Sequence, residues 1–181
     1  MHTAMKYSFV IVMACLFIGA SSGARAEVDA PNGLDTGKGF SVTMDEFKPL
    51  EGDNWEGHLS YLNYGSDKRS TIPVKLAVKV LNKKVLQYAI QYPGEEDHNA
   101  KERLKLSSDG TRINGYIITN REQTAGGTLV LTTQGKGRDD NQRAEVQLVY
   151  SLAADRFSIR KNVRFENSKE YINRNEYSFQ R

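Results

Sequence analysis

Ile72-Pro73-Val74-Lys75-Leu76-Ala77-Val78-Lys79-Val80 is the clearest run in the chain. Ile72, Val74, Leu76, Val78 and Val80 recur every second residue, and Lys75, Ala77 and Lys79 fall between them. A period of two places successive side chains on opposite faces of an extended strand, so this run predicts a strand with one buried and one wetted face. Trp55, Leu59 and Tyr61 alternate in the preceding run, and Tyr64-Gly65-Ser66-Asp67 supplies the connecting turn. Leu86, Tyr88, Ile90 and Tyr92 form a third run beyond the Asn82-Lys83-Lys84 corner.

The same pattern continues to the end of the chain. A longer loop, Pro93 to Asn99, precedes a short strand around Leu104 and Leu106 and a hairpin signal at Ser108-Asp109-Gly110. Further runs cover 113–119, 128–133, 145–152, 157–165 and 171–179, separated by Ala125-Gly126-Gly127, Gly135 to Asn141, Ala153-Ala154-Asp155 and Glu166-Asn167-Ser168. No helix of ten residues is expected after Trp55. Upstream, Phe40 to Leu50 carries both an alternating pattern and a Thr43/Glu46 capping box, and the helical turn is favoured. Eight to nine sequential strands joined by short polar turns predict an all-β, up-and-down antiparallel barrel, because closing a sheet removes its edges. A β-sandwich is the alternative.

The N-terminus has a different character. Met1 to Lys6 carries one lysine, Tyr7 to Ile18 is almost wholly apolar, and Ala24-Arg25-Ala26 is a small-x-small site, the layout of a secretory signal peptide cleaved after Ala26. The apolar stretch is shorter than the ~20 residues of a membrane span, so the mature chain is expected in the periplasm or outside the cell without stable membrane insertion. Val12-Met13-Ala14-Cys15 loosely matches a lipid-attachment box, but Leu16, Phe17 and Ile18 follow where a polar tether would begin. Glu27 to Gly39 reads as a disordered leader, leaving one domain over residues 40–181.

The full chain has 181 residues, 39% apolar and 26% charged, with a net charge of +3. Loss of Lys6 and Arg25 with the signal peptide brings the balance to +1. No clustered basic face suggests nucleic acid as a partner. Cys15, the sole cysteine, leaves with the signal peptide, so the domain is expected to have no disulfide or thiol nucleophile and to rest on its core.

Gly52-Asp53-Asn54-Trp55-Glu56-Gly57, followed by the meander, resembles the opening of lipocalin-like (calycin) barrels, with the usual Gly-x-Trp spacing stretched to Gly-x-x-Trp. The resemblance implies a tryptophan, Trp55, closing the barrel floor under an arginine of the last strand, with Arg174 the first candidate and Arg181 the second. The chain is also similar to small exported bacterial proteins with a Trp-x-Gly-x-Leu-x-Tyr opening and an Arg-x-x-Tyr ending, a match that names no activity. Fatty-acid-binding proteins grip a carboxylate with Arg-x-Tyr on the final strand. In Arg174-Asn175-Glu176-Tyr177 the longer offset puts Arg174 and Tyr177 on opposite faces unless a bulge intervenes.

Lys161 is in phase with Phe157, Ile159, Val163 and Phe165, so a regular strand aims its ammonium inward. A buried charge is costly when isolated, so Lys161 needs a carboxylate partner, a place at the barrel mouth or an anionic ligand, unless a bulge near Arg160-Lys161-Asn162 turns it to solvent. Tyr61, Tyr88, Tyr150 and Tyr177 are inward candidates for a cavity lining, with ordinary core filling as the competing role. Glu176 shares a face with Arg174 and is expected to pair with it. His58 points outward, His98 sits in an acidic loop beside Glu95, Glu96 and Asp97, and Gly135 to Asn141 reads as a hairpin loop, so no metal site or cofactor is assigned. No catalytic constellation stands out. The expectation is a non-catalytic barrel that binds or carries a small apolar or amphipathic molecule. An envelope interaction module with a filled core, and a hydrolase or isomerase, are the alternatives.

Overall fold

Alternation of inward apolar and outward polar side chains builds ten antiparallel strands: β1 Gly52–Asn63, β2 Lys68–Asn82, β3 Val85–Gln91, β4 Ala100–Lys105, β5 Arg112–Ile113, β6 Tyr116–Gln123, β7 Leu129–Asp139, β8 Gln142–Leu152, β9 Arg156–Phe165 and β10 Ile172–Gln180. The computed structural model describes residues 39–181. The expected signal peptide 1–26, with Cys15, and all but the last residue of the expected leader 27–39 lie outside the described residues. Each strand pairs with its sequence neighbour except at one seam, and β1 lies between β2 and β10, giving the order β4-β3-β2-β1-β10-β9-β8-β7-β6-β5. The remaining seam, between β4 and β5, is joined by a bridge from Leu106 to Ile113 and by the Asn114 N–H donating to the Lys105 carbonyl at 2.8 Å. The result is a nearly closed barrel, and among the described residues no helix is long and apolar enough to cross a membrane.

Two boundaries differ from the sequence reading. The run 113–119 is broken by Asn114-Gly115, both at positive φ (51° and 86°), a two-residue hairpin turn that adds β5 as a separate strand. The stretch Gly135 to Asn141 is mostly strand: β7 continues to Asp139, and only Asp140 and Asn141, at φ 46° and 59°, make the turn. The inward phase of Leu129, Leu131 and Thr133 thus runs on through Gly135 and Gly137 to Asp139.

One end of the barrel is covered by a 3₁₀ helix at Met44–Leu50, started by the predicted capping box: the Glu46 carboxylate accepts from the Thr43 N–H at 2.8 Å. Its Phe47 and Leu50 are fully buried in the core. Beneath them Trp55 donates its indole N–H to the Leu50 carbonyl at 2.9 Å. The arginine over its ring is Arg181, not Arg174: the Arg181 guanidinium lies 4.4 Å from the ring centroid and donates to the carbonyls of Pro49, Glu51 and Ala154. The physical reason is placement along β10, since Arg181 follows the strand's last residue at the covered end whereas Arg174 enters from the other.

The middle of the barrel is occupied by its own rings. Tyr88 stacks on Phe157, Phe157 on Phe179 and Phe179 on Tyr177, with centroids 6.0–6.1 Å apart, and Trp55, Tyr88, Tyr150 and Phe157 are among the largest fully buried side chains.

At the turn between β4 and β5, the Asp109 carboxylate accepts from Ser107 Oγ at 2.6 Å, Thr111 N at 3.1 Å and Thr111 Oγ1 at 2.9 Å. These bonds, the one from Ser107 foremost, hold the carboxyl at about 2, below its ordinary 3.8. A folded pKa below the unfolded one gives stability that is complete above pH ~4 and lost as pH falls through ~2. The stability advantage of the native chain over Asp109→Asn should therefore shrink in thermal melts taken from pH 5 down to pH 2. A pH-independent difference would contradict this assignment.

Candidate functional site

The end opposite the 3₁₀ helix is formed by the turns that join β1 to β2, β3 to β4, β7 to β8 and β9 to β10. Four side chains converge there. Lys161 points inward from β9 and its Nζ donates to Asp139 Oδ1 at 2.5 Å; the two residues are 6% and 9% exposed. Arg174, 7% exposed, places Nε 3.3 Å from Asp139 Oδ2, and its guanidinium lies 4.1 Å from the centroid of the Tyr64 ring. Tyr64 donates its hydroxyl to Asp139 Oδ2 at 2.8 Å. Burial, then the bond to Asp139, raises the Tyr64 hydroxyl far above its ordinary pKa, so it stays protonated as a donor.

A bulge puts Arg174 in this group. Asn173 pairs with Asn162 and Asn175 with Lys161, so Arg174 is an extra residue on β10 and both it and Asn175 turn inward. The bulge that the Arg174/Tyr177 offset required is present, and both of those side chains are buried on the inner side. It also separates Arg174 from Glu176. The expected Arg174–Glu176 pair is replaced by Arg160, which grips Glu176 with two bonds of 3.0 and 3.1 Å.

Two cations share one carboxylate here, and the hydrogen bonding is incomplete. Arg174 Nε and Nη1 make no hydrogen bond, because the 3.3 Å approach to Asp139 is poorly aligned, and Asn175, with no exposed surface, has no partner for either amide atom. Buried polar groups are normally satisfied, so this cluster holds unused hydrogen-bonding capacity, three donors (Arg174 Nε and Nη1, Asn175 Nδ2) against one acceptor (Asn175 Oδ1).

Beside it opens a cleft of about 750 Å³. Tyr116, Ala144, Val146 and Phe165 give it an apolar side with Lys161 as the inward cation; Lys136, Arg138, Arg143 and Arg164, on the outward phase of β7, β8 and β9, add positive charge at its rim against Glu145 and Glu166. Gly135 and Gly137 make room for the Tyr116 ring, since a Cβ on Gly135 would lie 2.0 Å from a ring carbon. Glu145 accepts from Tyr171 Oη at 2.6 Å and is paired with Arg164. The Tyr171 bond, with help from Arg164, lowers the Glu145 pKa, and burial together with that same bond pushes Tyr171 up to about 12. Lys136, Arg138 and Arg143 take part in no ion pair among the described residues.

Of the residues predicted to line a cavity, Lys161 alone borders this cleft. Tyr88, Tyr150 and Tyr177 are buried core, Tyr61 packs against that core, and Tyr177 and Tyr92 meet hydroxyl to hydroxyl at 2.7 Å. Asp139, Tyr64, Tyr116 and the basic rim were missed. For Asp139 a signal existed: the period set by Leu129, Leu131 and Thr133 predicts position 139 to face inward, and an inward carboxylate was the partner Lys161 lacked.

Fold and site together define a nearly closed ten-stranded antiparallel barrel with a basic, apolar-floored cleft at its mouth. No protein-family model matches the sequence, and no curated protein matches it. Among solved structures the fold is similar to that of Rv2717c from M. tuberculosis, with a TM-score of 0.53 at 11% identity over 76% of this chain and 96% of that one. That likeness concerns the fold alone.

Proposed function

We propose that this protein is an exported, lipocalin-like, non-catalytic barrel that binds a small amphipathic anion at its mouth. The observation that carries the reading is the cleft itself: about 750 Å³, within the size range of small-molecule sites, with an apolar floor and five basic side chains against two acidic ones. Tyr116, Val146 and Phe165 suit the apolar part of a ligand, Lys161 suits its anionic end, and Lys136, Arg138 and Arg143 add positive charge at the rim. A cleft rather than a deep cavity follows from the ring-filled middle of the barrel. Export is supported by the signal-peptide layout of residues 1–26. The lining offers positioned cations, and of its two acids Glu145 is committed to Tyr171 and Arg164, which favours binding over proton transfer.

Calorimetric titration of the purified chain with decanoate and with decanol tests this. Saturable binding of decanoate, with at least a tenfold loss of affinity in the exposed charge-reversal variant Arg138→Glu/Arg143→Glu, is expected. No binding of either probe would overturn the reading. The filled middle favours a second reading, an interaction module of the envelope. A native chain that binds neither probe and co-purifies with an envelope protein would select it.

A further inference from the structure

Asp139 is carried by a hairpin tip, not by the barrel wall. It is the last residue of β7, paired with Gln142 across the two-residue turn Asp140-Asn141. Between Thr133 and Asp139 the inward positions of β7 are Gly135 and Gly137, so Asp139 is the sole inward side chain holding that stretch of strand to the interior. It holds by inserting a carboxylate between Lys161 and Arg174.

We propose that Asp139 is a built-in substitute for the ligand's anionic group, so that the β7–β8 hairpin tip occupies its own binding cations until a carboxylate displaces it. The inference rests on the reading of the mouth cleft as an anion site, and it adds where the head group goes and what it must compete with. Three observations support it. Lys161 belongs to both structures: it lines the cleft and bonds Asp139. The cluster holds two cations and one carboxylate, so it keeps a net positive charge when Asp139 is in place. Its donors are poorly served by Asp139, since Arg174 Nε and Nη1 and the neighbouring Asn175 Nδ2 are buried without hydrogen-bond partners. A free carboxylate can align with the planar guanidinium fork in a way that a side chain tethered to a hairpin does not. The cleft then supplies the apolar contact, and the tip swings out as the head group moves in.

Competition of this kind lowers the apparent affinity by the fraction of time the site is self-occupied. Asp139→Asn keeps the side-chain shape and an acceptor for Tyr64 but removes the competing charge. Decanoate should bind this variant about tenfold or more tightly than the native chain, a typical coupling, and Arg174→Met added to it should abolish the gain. Equal or weaker binding by Asp139→Asn, with the native chain binding decanoate, would overturn the self-occupancy inference while leaving the cleft reading intact. Binding by neither chain would overturn both. Hydrogen exchange on the unaltered chain provides a second measurement that needs no folded variant: saturating decanoate should accelerate exchange at the backbone amides of residues 138–143. Unchanged or slower exchange there would overturn the proposal.

Discussion

Truncating Asp139 to alanine is expected to cost about 3–5 kcal/mol, whereas Lys161→Met costs less than about 2 kcal/mol, although the two residues form one ion pair. The asymmetry follows from what each change leaves behind. Without Asp139, two cations that are 6% and 7% exposed lose their shared counter-ion, and Tyr64 loses its acceptor. Without Lys161, Asp139 still has Arg174 at 3.3 Å and the Tyr64 hydroxyl at 2.8 Å, and the methionine fills the vacated volume with apolar atoms. Urea unfolding of the two variants measures the difference. Equal costs, or a larger one for Lys161→Met, would show that Arg174 is not bound to the same carboxylate.

The second large effect lies at the opposite end of the barrel. Trp55→Ala should destabilise by about 3–5 kcal/mol and lower the melting temperature by roughly 10 °C or more. It removes the largest fully buried side chain, a buried hydrogen bond to Leu50 and the surface on which Arg181 rests. Because Trp55 is the only tryptophan in the chain, its fluorescence also reports which arginine covers it. Arg181→Ala should shift the emission and Arg174→Ala should leave it unchanged. The reverse result would restore Arg174 to the floor.

These two ends were unequally legible in the sequence. The covered end follows local signals: the Thr43/Glu46 capping box starts the 3₁₀ helix, and Trp55 lies in phase with Leu59 and Tyr61 on β1. The mouth depends on pairings between residues far apart in the chain. Lys161 could be recognised as an inward charge because period two survives intact along β9, yet its partner was hidden in what looked like a glycine-rich loop. Arg174 belongs to the mouth because it enters β10 at the end away from Trp55, and it shares the inner side with Tyr177 only through a bulge that nothing in Asn173-Arg174-Asn175 announces.

By itself, then, the chain's alternating pattern determined an all-β meander, all of its strands but β5 and which residues face inward wherever pairing is regular, because the face of a strand residue depends only on its neighbours two positions away. Only the tertiary structure decided that the seam falls between β4 and β5, that Arg181 covers Trp55 while Arg174 joins Asp139 and Lys161, and that the open space is a cleft at the mouth. The physical reason is that register, bulges and the volume left between rings are set by contacts across strands, which no local period encodes.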